Sequence, residues 1–205
     1  MTCYIVAKTR VRNYYCIGAL TETGKNIRLS ENDNFPFMPE GNPYEVGGIW
    51  SLKFRPSRNR ERPHMEDVVV LGQHYIDHIP NIASIIQNLS SIRQGGFDSL
   101  YSGCLQGPVH SGNMYLGKNK PIPPISVEFW RPNRNMTFEI TEGGGGKPRQ
   151  AYRVGNFSIP YVGVSEPDDV IPAGILVRTS LTRWFPRDDD SRPKRCWLQV
   201  SQVYT

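Results

Sequence analysis

Residues 3–30 read CYIVAKTRVRNYYCIGALTETGKNIRLS, and this stretch decides the architecture. CYIVAKT at 3–9 and YYCIGALT at 14–21 are rich in β-branched and aromatic residues, and NIRLS returns at 26–30 after the turn ETG at 22–24. Gaps this short join antiparallel strands, because a parallel partner needs a long crossover. Residues 31–48 collect Pro, Asn and Gly and read as a long loop. IWSLKF at 49–54 and DVVVLGQHYI at 67–76 add a fourth and a fifth strand, separated by the polar loop RPSRNRERPHME, with Gly72 as a bend. The period then changes. In PNIASIIQNLSSIR, residues 80–93, Ile82, Ile85, Ile86, Leu89 and Ile92 share one helical face, with Pro80 suited to the start and Gly95 and Gly96 to the end.

Residues 97–124 form a Gly-, Ser-, Asn- and Pro-rich connector, after which strands resume: 125–130, 136–140, 151–164, 174–182 and 195–204. The organisation expected is a first barrel over 1–79, a helix and connector over 80–124, and a second barrel over 125–205. The fold class is all-β (mainly β): two tandem five-stranded barrels joined by a single helix and linker. The strand pattern alone fits an OB-fold, an SH3-like barrel or a small sandwich.

Composition excludes several classes. With 19 Gly and 17 Pro in 205 residues, the chain is neither a helical bundle nor a coiled coil. No run approaches the roughly 20 apolar residues of a bilayer span. The opening MTCYIVAKTR lacks the basic and apolar segments of a secretory signal, so a cytoplasmic location without membrane contact is expected. The four cysteines, Cys3, Cys16, Cys104 and Cys196, form no CxxC pair and read as reduced thiols. The formal charge of +5 is spread over all three segments, so an anion-binding surface has to be a local patch.

IVAKTR at 5–10, CIGAL at 16–20, NIRLS at 26–30, YEVGGIW at 44–50 and PHMEDVVV at 63–70 resemble the first half of the dual OB-containing domain family of prokaryotes. LVRTSLTRWFP at 176–186 and RCWLQVSQVY at 195–204 are similar to its last strands. The resemblance implies two OB barrels joined through a helical linker and a nucleic-acid or nucleotide-binding role, without an implied catalytic activity.

Cations and rings alternate in the first half. Lys8, Arg10 and Arg12 share a spacing that points them to one face of a strand. Lys53, Arg55, Arg58, Arg60 and Arg62 run from the fourth strand into its loop, and Tyr14, Tyr15, Trp50 and Phe54 lie among them. Single-strand binders need this combination, cations for phosphates and ring faces for bases. Arg28 and His64 complete the expected interface in the first half, and Trp130 and Arg131 form a weaker patch in the second, beside Arg134, Lys147 and Arg149. The bland alternative puts Trp50 and Phe54 in the core and leaves the arginines to solvate a loop. Arg183, Trp184 and Arg187 form a further candidate.

Catalytic and metal signals are thin. His74 and His78 are four apart on a strand, too far along it to share one zinc. Asp188, Asp189 and Asp190 are consecutive and read as solvated turn charges. The glycine run at 143–146 lacks the GK[ST] ending of a phosphate loop. No catalytic set, metal or cofactor is expected. An enzyme acting on nucleotides would have to use His64 with Glu66 or Asp67. The expected partner is single-stranded RNA or DNA, or a nucleotide. The alternative is a protein-interaction or adaptor subunit of a prokaryotic defence assembly.

Overall fold

In a computed structural model describing residues 1–107, 112–142, 146, 148–185 and 193–205, the first strand is β1, Thr2–Val11. Its Tyr, Ile, Val and Thr side chains favour the extended backbone. β2, Tyr14–Thr21, returns along it through a tight turn in which Arg12 takes a φ of 57°. β3, Asn26–Ser30, pairs with β2, and β4, Met38–Pro39, is a two-residue addition to Tyr14 and Tyr15 from within the long loop. β5, Gly48–Pro56, and β6, Asp67–His78, form a hairpin, and β5 pairs back onto β1.

A plain meander would end there with open edges. Instead β6 lies parallel to β3, and the ring β1–β2–β3–β6–β5–β1 closes. That order, with one parallel seam, is the OB arrangement. Ile5, Ile17, Ala19, Ile27, Leu29, Trp50 and Leu52 fill the interior together with Val68.

The helix α1 spans only Ala83–Leu89, shorter than the periodicity predicts. Ser90 is extended, and Ile92–Gly95 forms β7, parallel to β9, Val127–Pro132. A strand partner thus overrides a local helical preference. Two compact units result, residues 1–91 with Tyr204, and residues 92–203 with Thr205.

The second unit repeats the first unit's connectivity with its opening strand broken. The connector supplies a 3-10 stretch, Phe97–Gly103, and β8, Tyr115–Gly117. β9 and β10, Met136–Glu142, divide the work of β1. β9 pairs with β14, Leu176–Leu181, while β10 pairs with β11, Pro148–Val154. The expected long strand at 151–164 folds instead into a hairpin of β11 and β12, Phe157–Pro160, because Gly155 takes a φ of 60°. β13, Val170–Ile171, lies beside β10, and β15, Arg195–Tyr204, lies between β14 and β8. Tyr161, just past β12, bridges Val200 in parallel, where the first unit has its β3–β6 seam. The result is a four-stranded and a five-stranded sheet around one core containing Trp130, Tyr152 and Leu198. Among the described residues no helix is long and apolar enough to cross a membrane.

The turn between β2 and β3 carries a stringent position. Gly24 has a φ of 79°, and a Cβ there would sit 2.1 Å from the Leu89 carbonyl oxygen. Gly24→Ala is therefore expected to destabilise the protein by about 2–4 kcal/mol, combining the left-handed backbone with overpacking against main chain. Thermal or urea unfolding of the two proteins checks this.

Candidate nucleic-acid interface

Several of the expected interface residues hold the fold together. Trp50 is buried, with ring centroids 5.0 Å from Tyr44 and 5.4 Å from Tyr75, both edge-on. Trp130 is 1% exposed, and its indole N–H donates to the Gly95 carbonyl at 3.0 Å. His64 is buried, and its backbone N–H closes a turn to Glu61. Arg28 is buried at the β3–β6 seam beside Asp67, its register partner. Its Nε donates to Asp67 Oδ1 at 2.6 Å, its terminal nitrogen is 2.5 Å from the same oxygen, and Glu66 lies 3.8 Å away. Burial alone would lower the Arg28 pKa. The Asp67 carboxylate, with Cys16 and Glu66, outweighs it and drives the pKa upward.

Other cations are paired as well, and Lys8 among them is buried. Lys8 lies 2.5 Å from Glu45 and 4.9 Å from the centre of the Tyr15 ring. Arg55 grips Asp33 with two hydrogen bonds, of 2.9 and 2.7 Å. Arg60 donates to the carbonyls of Ser57 and Met65, and Arg131 to that of Gly174. Lys53 is exposed on the outer side of β5, opposite Gly72. His74 and His78 are exposed along β6. Trp184 is buried beneath Lys118, whereas Lys147, Arg187 and Asp188–Asp190 lie outside the described residues.

The exposed remainder gathers at one end of the first barrel. Three chain segments meet there: the β1–β2 turn, the loop after β3, and the β5–β6 loop. Tyr14, 40% exposed, lies edge-on to Phe35 at 4.5 Å, and Phe35 to Phe37 at 5.3 Å. Asp33 is the clamp, accepting from Arg55 and from the Arg58 backbone N–H at 2.7 Å, while Asn59 bridges to Asn34. Arg10, Arg12 and Arg58 carry exposed side chains on these segments, and Glu31 and Glu61 moderate their charge. Phe35 and Phe37 were not singled out by the sequence reading. The signal was present in NFPFMP, two rings alternating with prolines in an otherwise polar loop.

Among the described residues, two hollows of the second unit have polar and aromatic linings. One, of about 670 Å³, is lined by Tyr115, Lys118, Asn119, Lys194 and Arg195 among others, with the Arg195 guanidinium 4.1 Å from the centre of the Tyr115 ring. The other, of about 600 Å³, lies at the Gly155 turn over Trp130.

Two outcomes separate scaffold from surface. Arg28→Ala leaves Asp67 and Glu66 buried beside a lost cation, so a loss of about 3–5 kcal/mol is expected, whereas Arg10→Ala leaves the unfolding midpoint unchanged within error. Hydrogen bonds from Arg55 and the Arg58 backbone hold the Asp33 carboxyl below its ordinary range. A depressed carboxyl pKa stabilises above the unfolded value and is lost as pH falls through the folded one. The clamp therefore persists across neutral and mildly acidic pH. Asp33→Asn should abolish it at neutral pH, read as faster amide exchange in residues 31–37 and 57–60.

No curated protein and no solved structure matches the chain. The sequence model of the dual OB-containing domain matches residues 1–203. It spans both the closed barrel and the unit that repeats its connectivity. The chain belongs to the dual OB-containing domain family.

Proposed function

We propose that the chain binds single-stranded nucleic acid at the loop end of its first barrel. OB barrels are binding modules whose sheet face and flanking loops take up oligonucleotides. The observation supporting this reading is the meeting of exposed Arg10, Arg12 and Arg58 with the Tyr14, Phe35 and Phe37 rings on three loops tied together by Asp33. Guanidinium groups neutralise phosphates, and ring faces stack on bases without regard to sequence. The Asp33 clamp pre-orders the loops, which lowers the entropy lost on binding. The reading involves no catalytic residue.

Fluorescence anisotropy with labelled oligo-dT and oligo-U at two salt concentrations tests it. Three phosphate contacts predict a log–log salt slope of about −2, since each contributes about −0.7 on single strands. Replacing Arg10, Arg12 and Arg58 together by alanine should remove most of that slope. Phe35→Ala should weaken binding by about 1–3 kcal/mol if a base stacks there. Salt-independent affinity, or a triple variant that binds as the parent does, overturns the reading.

A protein-interaction role has one observation in its favour. Residues 71–78 of β6 are all exposed, with Leu71, Tyr75 and Ile76 each at least half exposed, and beyond Val69 no described strand pairs with the outer edge of β6. Such an edge accepts an added strand. A defined partner whose capture is lost with Ile76→Pro, together with failure to bind any oligonucleotide, would favour this role.

A further inference from the structure

The hollow at the Gly155 turn has a floor and a rim of different chemistry. Its floor is aromatic. Phe97 lies 5.6 Å from Trp130 at an interplanar angle of 35°, and 5.4 Å from Phe157, edge-on. Trp130 is fixed by its bond to Gly95, while Phe97 and Phe157 remain half-buried and present ring surface. The rim is polar: Asp98, Asn133, Arg134 and Asn156, all exposed. Among the described residues none of these four side chains makes a hydrogen bond or ion pair. An acid and a base thus face one cavity without neutralising each other.

A glycine lies beside each charged group. A Cβ on Gly96 would come within 2.8 Å of Asp98 Oδ1, so the exposed carboxylate lies over that glycine. A Cβ on Gly155 would lie 3.6 Å from an Arg134 terminal nitrogen, which sets the guanidinium against the hairpin turn. At about 600 Å³ the hollow has the size of a small-molecule site, and an apolar wall with a few convergent polar groups is the usual form of one.

We propose that this hollow binds a mononucleotide. The ring floor calls for a flat, weakly polar group. Arg134 calls for an anion and can take a phosphate through two parallel N–H bonds. Asp98, an acceptor only, calls for donors such as a ribose diol or the amine edge of a base. Asn133 and Asn156 offer donor and acceptor together and can read a base edge. Inorganic phosphate would leave the floor unused, and a purely apolar ligand would leave both charges unmet. This site is separate from the strand-binding loops of the first barrel, and the proposal does not rest on them.

Calorimetric titration of the full chain with AMP, GMP, CMP and UMP, and with the matching nucleosides, tests it. At least one monophosphate is expected to bind, and its nucleoside at least tenfold more weakly. Arg134→Ala should weaken the monophosphate at least tenfold and leave the nucleoside unchanged. Asp98→Asn should weaken both. The Arg10, Arg12 and Arg58 triple variant should retain mononucleotide binding, which keeps a failure here distinct from a failure of the strand-binding reading. Three results overturn the proposal: no monophosphate bound at millimolar concentration, binding indifferent to both rim variants, or binding of free L-tryptophan in place of every nucleotide. The last would show that the acid and base recognise an ammonium and a carboxylate.

Discussion

Closing a five-stranded ring requires one strand to find a neighbour that is not next to it in sequence. In the first unit that neighbour pair is β3 and β6, and Arg28 and Asp67 sit opposite each other across it. The Arg28 backbone N–H also donates to the Glu66 carbonyl at 2.9 Å. Both charges are buried, so neither tolerates losing the other. A guanidinium without its carboxylate is far costlier than an unpaired surface charge. Any register slip of β6 against β3 would separate them, so the pair makes the closed register costly to leave. The β5–β6 hairpin, and with it the loop bearing Arg58, is held in place by that register.

The same demand for pairing reshapes the surface. Lys8 and Arg55 pair with Glu45 and Asp33, and Arg60 donates to loop carbonyls. These bonds order the loops at the barrel mouth without adding net positive potential there. The exposed arginines left over are few but held on ordered segments. A modest net charge can then serve a local surface, because screening limits each charge to about 10 Å at ordinary salt.

The strands were legible because local chemistry makes them. β-branched runs, tight turns and the alternation that puts Ile17, Ala19, Leu29 and Leu52 inward all lie within a few residues of sequence. The parallel seam was not legible, since it rests on contacts 38 or 39 residues apart, such as Arg28 with Asp67 and Ser30 with Val68. The fate of each cation was hidden for the same reason: Lys8 finds its partner 37 residues away and Arg55 finds one 22 residues back. Alternation alone could place Trp50 on a face but not say which face was buried. The Gly155–Asn156 pair was a readable hairpin signal inside a run that otherwise looked like one strand. Ile92 illustrates the opposite failure. Its helical spacing was genuine, yet the Phe129 backbone offered a parallel partner, and tertiary pairing prevailed over propensity.

The difference between the two units follows from one position. In the first unit β1 stays continuous, absorbing its bend in an irregularity between Ile5 and Ala7, and it serves both neighbours. In the second the equivalent strand meets Pro132, which has no N–H to continue a ladder. The chain leaves the sheet there. The Asn133 N–H turns to the Gly95 carbonyl, and Gly174 donates to the Pro132 carbonyl. β10 then starts afresh with β13 along its flank. The break brings Asn133 and Arg134 to the surface beside Trp130, and the Gly155 hairpin folds over against them. The hollow is thus a consequence of how the second barrel fails to close. The feature that keeps the first unit sealed, an unbroken opening strand, is the one whose loss gives the second unit room for a ligand.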